Sequence, residues 1–360
     1  MSFSWTRGSL LSLLLPLGLA SSVATTSSAK TWHVPSEVEM IYEAVDSAAY
    51  GDTVLVAPGT YYRERIKYTE TSVAVWLWLK DGVTIMSEGG PEVTVLMETA
   101  PTPANIVVYG DTVVDAMFGG FTIEHGWPGV LGSSGAWDDA ILIKFADAVI
   151  ENNVIRSFWA GIYVRNGSPH DGTPVIRGND VQYCDYGIMV GDVYRFDTPL
   201  IEANTLKYCD YGINVWNSHP YILGNIIAGN TESGLLFDGW SQSEMHSNKI
   251  IGNGKYGVED RTDYAYQSPC LNCTLTRETA NDVYGNGLYD VYFVEETGLG
   301  LFGARYNYWG NLCPQPSQFY GRVDVVVWVD STHTVVCTDC DNCHHSTEST
   351  TWGAIKALFE

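Results

Sequence analysis

The feature that most constrains this chain is a repeat with a period of a little over twenty residues. The phrase Ile-x-x-Asn-x-hydrophobic occurs at Ile150 to Ile155, Ile176 to Val181, Ile201 to Leu206, Ile222 to Ile227 and, led by Met245, to Ile250. The aligned asparagines are spaced 26, 25, 21 and 23 residues apart. A degenerate copy precedes them at Phe118, Phe121 and Ile123, and another follows at Asn281 and Val283. A second phrase keeps step: Gly161-Ile-Tyr-Val164, Gly187-Ile-Met-Val190, Gly212-Ile-Asn-Val215 and Gly234-Leu-Leu-Phe237, with a weaker copy at Gly257-Val258.

Each unit holds short segments of alternating apolar residues separated by polar turns, about three strands per unit. No unit has a helical stripe, and propeller blades need about 40 residues or more. The solution left is a coil: one turn per unit, successive turns stacked in parallel ~4.8 Å apart, and every inward position forming a column. The expected fold is therefore all-β, a right-handed parallel β-helix. Ile162, Ile188, Ile213 and Leu235 should form one aliphatic stack, and Val164, Val190, Val215 and Phe237 another. Asn153, Asn179, Asn204, Asn225 and Asn248 should form an asparagine ladder at a bend. The glycine before each Ile or Leu is expected to supply unusual backbone angles at the next bend. Glu151, Arg177 and Glu202 form an outward column of alternating charge.

Composition narrows the partners. There are 42 acidic and 19 basic residues, a formal charge of −23, and 45% of residues are hydrophobic. That apolar content excludes disorder. So acidic a surface repels phosphate, which argues against nucleic acid and anionic membranes. A divalent cation, or a neutral or basic partner, is compatible with it.

Three blocks resemble the pectin-lyase-like superfamily, secreted bacterial right-handed parallel β-helix proteins. Ile41 to Val45 with Gly51 to Tyr61 resembles the entry segment, a capping helix followed by the first strand. Gly119-Gly-Phe-Thr-Ile123 resembles the first regular coil. Ala304 to Gly310, Pro314 and Gly321-Arg-Val-Asp324 resemble the closing coil. The resemblance covers residues 32 to 330 and implies a fold more than an activity, because this scaffold carries lyases, hydrolases, epimerases and adhesins. The segment Val38 to Ala49 is expected to cap one end, and Trp309, Tyr320 and Val323 to Val329 the other.

The termini read separately. Arg7, the apolar run Leu10 to Leu19 and the small residues up to Ala29 have the order of a secretory signal peptide. The run is short for a membrane span, and no later stretch approaches one. The expected organisation is a signal peptide over 1–29, the β-helix over 30–330 and a Cys/His-rich tail over 331–360, the mature chain being a secreted, periplasmic or cell-surface monomer. The apolar end Thr351 to Phe359 resembles the sorting tags of some bacterial secretion systems, and reads equally as a small docking helix. Cys184 and Cys209 share one phase of adjacent coils, a column that Phe158 precedes and Asn230 and Asn253 continue, so they are expected to be a buried stack of small side chains. Cys270, Cys273 and Cys313, with Cys337, Cys340 and Cys343, suit disulfides in an exported protein. Cys337, Cys340, Cys343, His344 and His345 are also a candidate metal cluster.

Variable insertions follow the Gly-Ile-x-Val strand in each unit and should emerge on one edge as a single wall. Along it stand candidate substrate-binding residues His170, Trp216, Asp238, Trp240, Asp260 and Tyr264, and candidate catalytic residues Arg195, Arg261, Asp171, Asp192 and Asp197. Aromatic faces pack on pyranose rings, Asp accepts hydroxyl hydrogen bonds, and Arg pairs with carboxylates. A lyase would use Arg195 or Arg261 as base with Ca²⁺ as cofactor. Asp138-Asp139 is the adjacent pair a hydrolase could use, and Pro169-His-Asp171 faintly resembles a mannuronan epimerase motif. Asp185 and Asp210 occupy equivalent turns and are a candidate Ca²⁺ site. The expected function is binding of an extracellular polysaccharide, with its processing by a lyase or glycoside hydrolase if the protein is an enzyme. The alternatives are a structural or adhesion rod and a periplasmic metal-handling β-helix.

Overall fold

The computed structural model describes residues 28–63, 66–70, 73–99, 105–125, 138–165, 172–192, 198–262, 270–272, 276–294, 301–311 and 313–338. Three long sheets of 12, 9 and 11 strands wrap one core, and the order of strands in each follows the order of the chain. One coil shows the pattern. Val175–Arg177 lies in the first sheet, Asp180–Gln182 in the second and Tyr186–Gly191 in the third. The next coil repeats it with Leu200–Glu202, Thr205–Lys207 and Tyr211–Trp216, each strand in parallel register with its predecessor. The chain is a right-handed parallel β-helix. Two antiparallel pairings stand apart, Lys67–Tyr68 with Ala74–Val75 and Trp328–Val329 with Val336–Cys337.

The inward columns are those the repeat predicts. Ile162, Ile188, Ile213 and Leu235 are in register and fully buried. Each such side chain contributes roughly 1.5–3 kcal/mol by leaving water. At the bend between first and second sheets, Asn153 Nδ2 donates to Asn179 Oδ1 at 3.0 Å, and the Asn153 backbone N–H donates to the same oxygen at 3.1 Å. The pattern repeats through Asn204, Asn225 and Asn248. It continues to Asn281, in the following degenerate copy, and to Asn307, one rung beyond it. The outward column also holds: Arg177 bonds Glu151 at 2.6 Å and lies in register with Glu202.

The glycines act differently from the expectation. Gly161, Gly187, Gly212 and Gly234 are absent from the left-handed region, which is occupied instead by Asn152, Gly178, Ala203, Gly224 and Ser247, each just before the ladder asparagine. The repeated glycines are needed for closeness. A Cβ on Gly212 would stand 2.5 Å from Ile227 Cγ2 and 2.6 Å from Gly234 O.

Cys184 and Cys209 are free, buried thiols at the bend between second and third sheets. Asn230, Asn253 and Asn286 continue that column as a second amide ladder, beginning with Cys209 N–H donating to Asn230 Oδ1 at 3.0 Å. At the N-terminal end the helix Ile41–Ser47 buries Ile41, Ala44 and Val45 against the core. At the other end Trp309 and Trp328 are buried in the same core.

Candidate functional site

Alternation along the third-sheet strands turns Ile188 and Val190 inward and leaves three columns on the outer face. The first reads Asp139, Ala160, Tyr186, Tyr211, Ser233, Tyr256 and Tyr289. The second reads Tyr163, Met189, Asn214, Leu236, Glu259 and Tyr292. The third, at the edge where the variable insertions leave, reads Arg165, Gly191, Trp216, Asp238 and Arg261. Parallel stacking places like residues one coil apart, so the tyrosines stack. Tyr186 and Tyr211 have ring centroids 5.4 Å apart at 12°, and Tyr256 and Tyr292 4.4 Å apart at 15°. The face is an aromatic strip along the helix axis.

Polar groups break the strip at its middle. Ser233 interrupts the tyrosine column, and its hydroxyl donates to Glu259 Oε2 at 2.6 Å. Arg261 donates to Glu259 Oε1 through Nε at 2.8 Å and lies 2.5 Å from it through its terminal nitrogen. Glu259 is 2% exposed and the Arg261 side chain 47%, so the guanidinium roofs the carboxylate. Burial disfavours the Arg261 charge, but Glu259, with Asp238 beyond it, outweighs that and raises its pKa. A guanidinium held so firmly protonated is suited to donating hydrogen bonds, not to taking a proton.

The predicted wall residues divide. Trp216, Asp238 and Arg261 stand side by side in register, and Trp216 and Trp240 are 42% and 64% exposed. Asp192 lies beside them, accepting a hydrogen bond from Asn217 Nδ2 at 3.4 Å, and Asn217 Oδ1 accepts from the Trp240 backbone N–H at 2.9 Å. Asp260, expected on the wall, turns inward instead. Its register partners Phe237 and Phe293 are core residues and it is fully buried. The strand alternates Val258 in, Glu259 out, Asp260 in, and the adjacent acid takes the outer place. Burial pushes the Asp260 pKa up to about 6. Oδ1 accepts from the Thr262 N–H at 2.9 Å, while Oδ2 has no hydrogen-bond partner among the described residues. His170, Asp171, Arg195, Asp197 and Tyr264 lie outside the described residues.

Asp185 and Asp210 occupy the opposite edge of the third sheet, just before Tyr186 and Tyr211. Burial, then the Asp210 charge, raises the Asp185 pKa, and Asp210 accepts from the Thr231 hydroxyl at 2.5 Å. Cys270, Cys313 and Cys337 are disulfide-bonded, so Cys337 offers no thiolate to the metal cluster proposed for it. Cys340, Cys343, His344 and His345 lie outside the described residues.

Reading the sequence missed Ser233, Glu259 and the tyrosines of the outer face. One signal was available: Tyr186, Tyr211 and Tyr256 each directly precede the repeated glycine, and Ser233 stands in the same place.

Fold and face together define a parallel β-helix repeat protein with an aromatic outer strip. Residues 132–311, half of the chain, match the family described as NosD, periplasmic copper-binding protein, and the chain belongs to this family. Among solved structures it is similar to the Azotobacter vinelandii mannuronan C-5 epimerase AlgE4 A-module (16% identity, 79% of this chain and 93% of that one, TM-score 0.44). It is also similar to pectate lyase Pel9A (14% identity, 85% and 80%, TM-score 0.48) and to the Dettilon tailspike protein (12% identity, 81% and 58%, TM-score 0.49). At such identities the likeness concerns fold alone. No curated protein sequence matches the chain. The family description invites a test for copper. Among the described residues no three His, Cys, Asp or Glu side chains are grouped to hold a metal ion, so these residues do not fit a copper centre. Among the described residues no helix is long and apolar enough to cross a membrane.

Proposed function

We propose that this protein is exported and binds a neutral polysaccharide along the outer face of the third sheet. The observation that carries the reading is the strip itself: stacked tyrosines along the axis, with Trp216 and Trp240 exposed on its edge. Aromatic rings offer a pyranose ring a large apolar face at little entropic cost. Charge selects among glycans. Lys144, Arg261 and Lys255 on this face are each paired with an acid, Asp111, Glu259 and Glu232. With a net charge of −23, the field repels polyuronates and leaves neutral chains unopposed. Any Ca²⁺ at Asp185 and Asp210 would be an accessory to this binding.

The test is calorimetric titration of the purified mature protein with neutral and uronate-containing oligosaccharides, with and without Ca²⁺. The expected result is binding to a neutral glycan, weakened about tenfold by Trp216→Ala with Trp240→Ala and unchanged in melting temperature. Binding unaffected by the double substitution would place the ligand elsewhere, and no binding to any glycan would favour a structural rod.

A further inference from the structure

A second pair of stacked tyrosines stands outside the strip. Tyr183 and Tyr208 have ring centroids 5.4 Å apart at 17° and are 46% and 52% exposed. They lie where the chain leaves the second sheet, directly after Asp180–Gln182 and Thr205–Lys207. Register places Ser157, Gly229, Gly252 and Gly285 at the same point of the neighbouring coils, and every residue of this column is in the left-handed region. Tyr183 and Tyr208 have φ of 57° and 59°, an outlying conformation for a bulky side chain. Gly229, Gly252 and Gly285 make the same turn at φ of 65°, 62° and 69° with no Cβ to strain it. The turn therefore does not need tyrosine. Neither does the core, which takes the next residues, Cys184 and Cys209, instead. Gly229 also seats the pair, since a Cβ there would stand 3.4 Å from Tyr208 Cε1. Strained, exposed rings that serve neither turn nor core mark a contact surface.

Position ties this pair to the strip. Tyr186 and Tyr211 follow three residues later, a span of at most about 10 Å. Asp185 and Asp210 lie between the two pairs, and their carboxylates can accept hydrogen bonds from hydroxyls. The phrase Tyr-Cys-Asp-Tyr thus sets an aromatic ring on either side of an acid, on each of two adjacent coils. The bend between second and third sheets turns the two pairs to different faces. A straight chain lying on Tyr186 and Tyr211 does not reach Tyr183 and Tyr208. A side branch that crosses the acids does.

We propose that Tyr183 and Tyr208 form a separate stacking site for side branches of the glycan, so that the preferred ligand of the strip is a branched neutral polysaccharide. This rests on the glycan reading above and names its substrate class. The main chain lies on Tyr186 and Tyr211. A branch sugar packs its apolar face on Tyr183 and Tyr208, and its hydroxyls donate to Asp185 and Asp210 on the ridge between.

The test is calorimetric titration with two matched pairs of oligosaccharides, linear and galactosyl-branched β-1,4-mannans and linear and glucosyl-branched β-1,3-glucans. The wild-type protein is expected to bind the branched member of one pair about tenfold more tightly than the linear one. Tyr183→Gly with Tyr208→Gly should remove that advantage and leave the affinity for the linear ligand unchanged. The melting temperature of this variant should not fall, because glycine relaxes the turn, whereas a packing role would lower it. Tyr183→Asn with Tyr208→Asn, which also suits the left-handed region, should give the same result. Equal affinity for linear and branched ligands overturns this proposal. So does a branched advantage that survives both double variants, or a loss shared equally by linear and branched ligands. In each of those cases, binding that Trp216→Ala with Trp240→Ala still weakens leaves the glycan reading standing. Binding to none of the four, and to no other neutral glycan, removes both.

Discussion

The asparagine-lined bend and the outer face of the third sheet are built by the same stacking rule and carry it to opposite ends. At the bend every coil from Asn153 to Asn307 contributes the same residue, and each amide is satisfied by the next rung. On the outer face the columns change from coil to coil, Tyr211 to Ser233 to Tyr256 and Asn214 to Leu236 to Glu259. Where identical side chains satisfy each other, repetition is stabilising and any departure is costly. Where side chains face outward, the stack tolerates variation, and variation is what recognition needs. Stability lies in the regular columns and specificity in the irregular ones.

The largest effect should come from breaking the regular region. Asn204→Ala removes the side-chain donor to Ile176 O and to Asn225 Oδ1, which keeps the backbone N–H of residue 204, and removes the acceptor for the Asn179 N–H. Losing these bonds from a buried bend should cost about 3 kcal/mol, read as a lower denaturation midpoint. Trp216→Ala on the outer face should change stability by less than about 0.5 kcal/mol. Equal losses from the two would erase the contrast.

Asp260 sharpens the comparison because it places a charge in a regular apolar column. Its folded pKa is about 6 against an ordinary value of 3.8. The folded state therefore holds its proton more tightly than the unfolded chain, and this group lowers stability as pH rises from about 4 through about 6. Asp260→Asn should stabilise the protein by about 3 kcal/mol at pH 7 and flatten that part of the pH profile in thermal melts. A variant with an unchanged profile would show that Asp260 ionises freely in the fold.

A smaller effect belongs to the C-terminal end, where His333 Nε2 and Asp282 Oδ1 are 2.7 Å apart. The hydrogen bond to Asp282 raises the His333 pKa. Its contribution is thus fully present below the unfolded value near 6.5 and is lost as pH rises through the folded one. For a partly exposed pair this is a few tenths of a kcal/mol. Asp282→Asn should lower the melting temperature at pH 6 more than at pH 9.

The division between regions also explains what could be read in advance. The Asn ladder and the Ile stacks were legible because a column of identical inward residues is a repeat in sequence. The role of the glycines is not legible in sequence, since a close approach such as Gly212 to Gly234 O depends on coil spacing that no single unit reveals. Asp260 was placed on the wall because residue type alone does not say which of two adjacent acids faces in. Ser233 comes from the coil before Glu259 and Arg261, and only the register brings it to them.

The most direct test of the central claim is a crystal structure of the protein soaked with the neutral oligosaccharide that binds best in the panel. Sugar rings are expected to lie along Tyr186, Tyr211 and Trp216 on the outer face of the third sheet. A ligand seated on the first or second sheet, with the tyrosine strip bare, would contradict it.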